Sequence, residues 1–340
     1  EKVDWSREFM RNIYIMAKKE PKRIVFPEGD NPKIIWAASE LAQEGYARPI
    51  LLTKNKKALI AKFKELHHDA RNIEIVEPEK WPYCDDYVKE YYRLRQRKGK
   101  TQSGAVLSLE NYFYFGTMMV HQGHADGLVA GVSVSVPSVL RPALKIIGPR
   151  KGNKIVGGMY LLQHEGKSYF FADSAVNINP DVDQLTEITL MAAEQMERMQ
   201  IEPQVAMLSF SNFGSVRSPE TKKIRETVER VQHLRPGMII DGPMQPDVAL
   251  NPDFLAEHYP FAKMSRRPNL LVFPNLDAAN ISLRLVRQLS DTHTIGPIMF
   301  GMAKPIQTLQ KGTEVNNIVN VAAITCVDAQ KMEAQKLADV

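Results

Sequence analysis

Short apolar runs alternate with amphipathic stretches over the first third of the chain, and this alternation constrains the fold more than any other feature. Residues 23–27 are predicted to form a strand, and Asn31 followed by a proline is a typical helix start, because the Asn side chain can cap the helix. Further strands are expected at 49–53 and 73–76, with a Lys-rich helix at 56–66 between them. Such alternation indicates parallel strands covered by helices, which is an α/β fold.

The pattern changes after a Gly, Pro and basic stretch at 148–153. Two adjacent strands are expected at 155–163 and 168–172, and the short Glu165-Gly166-Lys167 connection favours a hairpin. A chain of 340 residues also exceeds one ordinary core, so two lobes are expected. The predicted organisation is a connector helix at 1–20, lobe I at 21–151 plus 304–340, and lobe II at 152–303.

The sequence predicts two further helices, one in the middle of the first lobe and one at the start of the chain. Residues 107–122 are expected to form one helix whose aromatic and methionine side chains are core, because such residues at helical spacing usually pack inside. The leading helix either connects to an upstream domain or docks on its own fold, and the sequence leaves both interpretations open.

The segment 296–317 combines a short apolar run with Gly301, Pro305 and Gly312 before an apolar-periodic stretch. This pattern predicts a strand, a long loop and then a helix. Loops at strand ends commonly carry the ligands of α/β proteins.

This segment resembles the phosphate acetyltransferase family, as do residues 272–276, residues 280–281 and the Asp-Gly strand at 126–131. The similarity is greatest to the phosphotransacetylase-like C-terminal domain of large bacterial NADP-dependent malic enzymes. The resemblance implies a three-layer α/β/α fold like that of isocitrate and isopropylmalate dehydrogenases, with two lobes and a cleft between them. It also implies dimers formed through lobe II.

The resemblance carries the family's catalytic Ser, Arg and Asp onto Gln310, Lys311 and Asn317. An amide cannot accept a proton near neutral pH, so the position of the general base lacks one. Lys311 keeps a positive charge without the guanidinium fork. The catalytic positions are therefore expected to be degenerate, with no catalytic residue assigned.

Anion binding is a separate expectation, because the resemblance assigns phosphate-binding roles to Arg95 and Arg141. The turn after a buried strand, Ser211-Asn212-Phe213, is expected either to cradle an anion through backbone N–H groups or to be only a tight connection. The expected acetyl-CoA-binding residues are Arg95, Arg141, Ser211, Asn212, Phe213, Gly301, Met302, Gln310 and Lys311.

The resemblance implies a regulatory, non-catalytic domain that binds acetyl-CoA as an allosteric effector and mediates oligomerisation. The partner would be a malic enzyme catalytic domain in the same polypeptide, which would hold NADP and a divalent metal, while this domain itself would need no cofactor and no metal. The alternative is an active phosphate acetyltransferase. A third class, an oxidoreductase, is disfavoured because the chain has neither a dinucleotide-binding glycine fingerprint nor an Asp cluster for a metal.

The composition of the chain disfavours nucleic-acid-binding, disulfide-rich and membrane-spanning proteins. The formal charge of +5 arises from 44 basic and 39 acidic residues spread along the whole chain, which disfavours a nucleic-acid-binding face. The two cysteines are far apart, which fits a reducing cytoplasm better than a disulfide framework. The sequence contains no apolar run of the length a membrane span needs.

Overall fold

The computed structural model describes residues 5–264 and 266–338, with side chains described from Glu8 onward. The chain divides into two compact units. Unit I contains residues 9–151 and the described part of 302–340, and unit II contains the described residues of 152–301 together with residues 5–8. Each unit has its own β-sheet.

Strands and helices alternate along the first segment of unit I, as the sequence predicts. They are α1 (Trp5–Lys19), β1 (Arg23–Phe26), α2 (Pro32–Glu44), β2 (Arg48–Leu52), α3 (Lys56–Glu65), β3 (Glu74–Val76), α4 (Cys84–Arg95), α5 (Gln102–Leu109), α6 (Tyr112–Gln122), β4 (Gly127–Ala130) and α7 (Val136–Ile146). The Asn31 side chain caps α2 by accepting from Lys33 N, with a proline at the first helical position.

The single helix expected at 107–122 is wrong. The chain forms α5 and α6 instead, and the side chain of Asn111 caps the start of α6 by accepting from Phe113 N. An asparagine at this position satisfies a helical N–H that would otherwise lack a partner, so it favours a new helix start over a continuous helix.

Unit II begins with the predicted hairpin. Glu165 and Gly166 both have positive φ at the turn, which suits the tight connections of twisted strands. The elements of this unit are β5 (Gly157–His164), β6 (Lys167–Ala172), α8 (Val182–Arg198), β7 (Gln204–Leu208), α9 (Pro219–Leu234), β8 (Ile239–Met244), α10 (Pro246–Ala249), α11 (Pro252–His258), β9 (Leu270–Val272), α12 (Leu276–Leu289) and β10 (His293–Phe300).

The chain then returns to unit I with β11 (Ile306–Thr308) and α13 (Val315–Ala338). The expected long loop between Gly301 and Gly312 is therefore interrupted by a strand. This strand pairs in parallel with β4, so its backbone groups are satisfied inside the sheet of unit I.

Among the described residues, the sheet of unit I has the order β11-β4-β1-β2-β3, and all of its pairs are parallel. The sheet of unit II has the order β10-β5-β6-β9-β7-β8. Its first three strands pair antiparallel, and the pairs from β6 to β8 are parallel. The α/β class with helices covering parallel strands is thus confirmed.

From Phe9 onward α1 belongs to unit I and packs against α13. Ile13 and Ala17 are fully buried, and the Gln330 side-chain amide donates to the carbonyl oxygens of Met16, Ala17 and Glu20. Burying an Ile side chain stabilises a fold by about 1.5–3 kcal/mol. The helix is therefore docked on its own fold, and a further role as a connector stays a prediction.

Within residues 5–264 and 266–338, no helix combines the length and the apolar character that crossing a membrane requires.

Candidate functional site

The carboxyl ends of β11, β4 and β1 are neighbours in unit I, and a glutamate organises them. Glu28, two residues after β1, accepts backbone hydrogen bonds from Gly131 N (2.6 Å), Val132 N (3.1 Å) and Ser133 N (2.8 Å) in the turn after β4. Hydrogen bonds to an ionised carboxylate are stronger than neutral ones. The turn after β4 is therefore fixed by a side chain from the neighbouring strand.

The loop after β11 is fixed by that turn in the same way. Leu309 N donates to Ala130 O at 2.7 Å, and Gly312 N donates to Val132 O at 3.0 Å. Gly131 has a φ of +112°, and a Cβ there would lie 3.0 Å from Leu309 O, so only glycine fits the close approach of the two backbones. The backbone that carries Gln310 and Lys311 is thus held at both ends.

Lysine 33 extends this network to the start of α13. Its Nζ donates to Thr313 O (2.9 Å), Gly312 O (3.2 Å) and Glu314 Oε1 (3.0 Å). This ammonium reaches the loop from α2, so the loop after β11 is tied to a helix as well as to a strand end.

The structure brings together the three positions that the resemblance matches to catalytic residues. Gln310 and Lys311 lie in the loop after β11, and Asn317 is the third residue of α13. The Asn317 side-chain amide donates to Thr313 Oγ1 at 2.8 Å. The side chain of Lys311 is exposed. This edge thus presents a cation and amides, without a carboxylate at the position that the resemblance gives to the base.

Arg95 ends α4 beside a cluster of tyrosines and lysines. Lys100 Nζ lies 5.8 Å from the ring centroid of Tyr91, and Lys145 Nζ donates to Tyr114 Oη at 3.3 Å. Tyr91 and Tyr114 pack edge to face with centroids 5.6 Å apart. Burial raises the pKa of Tyr91, and the nearby charge of Arg95 opposes that rise. Three cations, those of Arg95, Lys100 and Lys145, therefore lie around these rings. Of these three, the sequence resemblance had indicated only Arg95 as a binding residue.

Arg141 is exposed on α7, four residues before Lys145. Residues four apart share a helix face, so these two cations lie on the same side of α7. Among the described residues, neither the guanidinium group of Arg141 nor that of Arg95 has a hydrogen-bond or ion-pair partner. Both guanidinium groups can therefore still bind an anion.

The turn after β7 in unit II uses three of its backbone N–H groups within the fold. Phe213 N donates to Pro243 O (2.7 Å), Ser215 N donates to Asn212 O (2.9 Å), and Val216 N donates to Ser211 Oγ (3.0 Å). Ser211 is only 2% exposed. These three N–H groups are satisfied within the fold, which fits a tight connection, and anion binding by the turn stays a prediction.

The side chains of Asn212 and Phe213 both make contacts within the fold that stabilise this turn. The Asn212 side chain exchanges two hydrogen bonds of 2.8 Å with Gln245. The ring of Phe213 packs against Tyr259 and Phe261, with centroids 4.9 and 5.0 Å away.

Gly301 and Met302 lie where the chain passes from unit II to unit I. A Cβ on Gly301 would be 2.6 Å from the sulfur of Met191, and φ there is +85°. Met302 is 3% exposed and forms a bridge with Pro149. Both residues have packing roles, and β11 separates them from Gln310 along the chain.

Sequence reasoning missed a pocket of about 620 Å³ in unit II. It lies at the carboxyl ends of β7 and β9, and its lining includes Phe210, Lys223, Asn275 and Asp277. The strand and helix pattern predicted both strands, but only the sheet order shows that they are neighbours.

Among the described residues, no group of three or more His, Cys, Asp or Glu side chains is arranged to hold a metal ion.

The fold and this edge define an α/β protein of the phosphotransacetylase class. A phosphotransacetylase from Streptococcus pyogenes superposes with a TM-score of 0.89 at 33% identity, covering 96% of this chain and 99% of that one. The fold extends to dehydrogenases: a 4-hydroxythreonine-4-phosphate dehydrogenase structure from Klebsiella pneumoniae has a TM-score of 0.50 at 11% identity, which shows a shared fold alone.

Residues 8–326 match the phosphate acetyl/butaryl transferase family, and the chain belongs to it. It is 36% identical over 331 residues to a phosphate acetyltransferase of Clostridium acetobutylicum, covering 95% of this chain and 99% of that protein. It is 37% identical over 327 residues to an NADP-dependent malic enzyme of Salmonella typhimurium, but spans only 43% of that protein's length. The similarity thus covers nearly the whole of the Clostridium acetobutylicum phosphate acetyltransferase and less than half of the malic enzyme.

Proposed function

We propose that this protein transfers an acetyl group between phosphate and the thiol of CoA. The observation that carries the proposal is its 36% identity to a phosphate acetyltransferase over 99% of that protein's length. This similarity favours the transferase over the non-catalytic regulatory domain expected from the sequence, and it gives no support to an NADP-dependent oxidoreductase activity of this chain. In the direction of acetyl-CoA synthesis, the thiolate sulfur attacks the carbonyl carbon of acetyl phosphate, and inorganic phosphate leaves as the C–O bond breaks.

Residues of unit I supply part of what this reaction needs. The exposed ammonium of Lys311 can attract the phosphoryl group, and Arg95 and Arg141 have guanidinium forks with no partner among the described residues. Gln310 carries amide N–H groups that can donate to the oxyanion of the tetrahedral intermediate.

The general base is the missing part. Asn317 uses its amide to donate to Thr313 Oγ1 and cannot accept a proton near neutral pH. The nucleophile must then come from the fraction of thiol that is already ionised, and a thiol has a pKa of about 8.5. Below that pH, kcat/KM is expected to rise about tenfold for each pH unit.

A second candidate is a domain that binds acetyl-CoA without turning it over. This candidate is favoured by the residues at positions 310, 311 and 317, which differ from the family's catalytic residues. Losing a general base costs about 10²–10⁴ in rate, so turnover would be slow while binding remained. The 37% identity to part of a malic enzyme fits this candidate, with NADP and a metal belonging to the part of such a protein that this chain does not match. If acetyl-CoA inhibits a partner domain, ligands of that domain must weaken acetyl-CoA binding by the same factor.

One experiment separates the two candidates. Purified protein is incubated with acetyl phosphate and CoA, thioester formation is followed by its ultraviolet absorbance, and acetyl-CoA binding is measured by calorimetry. Thioester formation that depends on enzyme and rises with pH supports the transferase. Binding of acetyl-CoA with no turnover at any pH supports the second candidate, and absence of both rejects the two.

We further propose a homodimer that forms through unit II, as the family resemblance implies. Sedimentation equilibrium tests this assembly directly, and a monomer at every concentration would contradict it.

A further inference from the structure

The pocket in unit II lies at the ends of β7 and β9, where the helices that follow these two neighbouring strands go to opposite faces of the sheet. β9 and β7 pair in parallel, and the helix after β7 lies on the face that also carries α8. The helix after β9 packs on the opposite face, where Ala279 and Leu283 join a cluster with Leu208 and Leu271. Open α/β sheets bind ligands at the carboxyl ends of the strands at such a switch point. The pocket volume of about 620 Å³ is in the range of small-molecule sites.

The charges of this pocket disfavour an anionic ligand. Its lining carries the ammonium of Lys223 and the carboxylates of Glu220 and Asp277. Lys223 Nζ already donates to Pro274 O (2.9 Å), Pro180 O (3.1 Å) and Asn179 Oδ1 at 3.5 Å. An ammonium has three N–H donors, so this cation is used in holding the loops together. A phosphate group in the pocket would face two carboxylates without a cation to receive it.

The other lining groups combine apolar rings with polar atoms that have no partner. Phe210 is 57% exposed although it is aromatic, and Phe273 and Pro246 add apolar surface. Among the described residues, Asn275 Nδ2 and the Asp277 carboxylate make no hydrogen bond to another side chain or to the backbone. The pocket therefore offers a ring to stack on, an amide donor and a carboxylate acceptor.

We propose that this pocket binds an adenine base. The ring would stack on Phe210, because base–aromatic stacking is a common mode of base recognition. The Asp277 carboxylate would accept from the exocyclic amine, and the Asn275 amide would donate to a ring nitrogen. Adenine is uncharged, which suits the charge balance of the lining.

Adenine occurs in CoA and in free adenine nucleotides, and the pocket chemistry is shared by both sources. Binding of the adenine of CoA rests on the proposed function, whereas binding of a free adenine nucleotide does not. Either source would leave its phosphates outside the pocket, away from Glu220 and Asp277.

The test uses calorimetry with adenosine, inosine, ATP and CoA on the full chain. Inosine has the same shape for stacking but carries an oxygen where adenosine has its amine, so it would bind more weakly. Phe210→Ala is expected to weaken adenosine binding about 5- to 150-fold, as the loss of one stacked base predicts. Phe210→Trp should restore it.

Phe254→Ala is the matched control, because Phe254 is a partly exposed phenylalanine of the same unit outside the pocket lining. It should leave adenosine binding unchanged. Asp277→Asn should shrink the preference for adenosine over inosine, since an amide can donate to the inosine oxygen.

The outcomes separate this proposal from the proposed function. Binding of adenosine that Phe210→Ala weakens and Phe254→Ala does not would support the pocket, and a matching effect on CoA or on ATP identifies the source. Failure to bind adenosine, or equal binding to wild type and Phe210→Ala, overturns the adenine proposal even where the protein still forms acetyl-CoA. Adenine binding without thioester formation upholds the pocket and rejects the transferase.

Discussion

Replacing Asn317 with Asp returns a carboxylate to the position that the family resemblance gives to the general base. Asn317 and Asp have the same shape, and the new carboxylate could accept from the Thr313 hydroxyl, to which the amide now donates. Asn317 is the third residue of α13, so the carboxylate would also lie in the first turn of a 24-residue helix. The substitution therefore changes chemistry with little change of packing.

The expected effect on catalysis is large and the effect on stability is small. A positioned general base contributes about 10²–10⁴ in rate, so kcat/KM for acetyl-CoA formation at pH 7 should rise by about that factor. A carboxylate in the first turn of a helix stabilises by about 0.3–1 kcal/mol. Repulsion from Glu314, three residues earlier, opposes this by about 0.2–0.5 kcal/mol. The free energy of unfolding should therefore change by less than about 1 kcal/mol.

The pH profile is the decisive assay. The wild-type rate should rise with pH as the thiol ionises, whereas the variant should be nearly flat above about pH 6, because an Asp has a pKa near 3.9 and is already ionised. Asn316→Asp is the matched control, since it adds the same charge at an exposed neighbour. Equal rates and equal pH slopes for the two variants and wild type would refute the idea that a missing base limits this protein.

Three further predictions concern stability. Lys223→Met should lower the free energy of unfolding by about 1–3 kcal/mol in urea titrations, because hydrogen bonds from a charged donor to two carbonyl groups are lost. An unchanged urea midpoint would contradict the role of Lys223 in holding these loops together. Gly131→Ala should lower the free energy of unfolding by more than Gly152→Ala in the same titration. Both glycines have a positive φ and share a strain of about 1–3 kcal/mol, but only at Gly131 would a Cβ also meet backbone atoms. Equal losses for the two variants would contradict the close approach at Gly131. The Arg93 guanidinium holds the pKa of Glu90 down to about 2, so Glu90→Gln should be less stable than wild type above about pH 4.5, and the difference should vanish as pH falls toward 2. A difference in thermal unfolding that stays constant across this range would exclude that linkage.

The alternation of strands and helices was sufficient to predict the fold class, because the elements from β1 to β3 each have their own local signal. Asn31 with the following proline defined the start of α2, and the Glu165-Gly166 turn defined the hairpin. β11 was missed because its three residues follow Pro305 and are too few to show a period. Its identity as a strand comes from pairing with β4, which lies far away in sequence.

The candidate site was only partly predictable for a related reason. The resemblance located Gln310, Lys311 and Asn317, and the structure places all three at one edge of a sheet. It could not show that Pro243, thirty residues after Phe213, accepts that residue's N–H. Satisfaction of backbone groups depends on contacts between distant segments, so a turn that looks open in sequence can be closed in space.

Glu28 has a consequence for how this protein can change over generations. The path of the loop after β11 is held by main-chain hydrogen bonds, by the close approach at Gly131 and by Lys33, and Glu28 fixes the turn to which this loop bonds. A substitution of Lys311, whose side chain is exposed, therefore leaves the route of the polypeptide unaltered. A scaffold of this kind lets reactivity be lost, regained or redirected by single substitutions while its architecture is inherited intact.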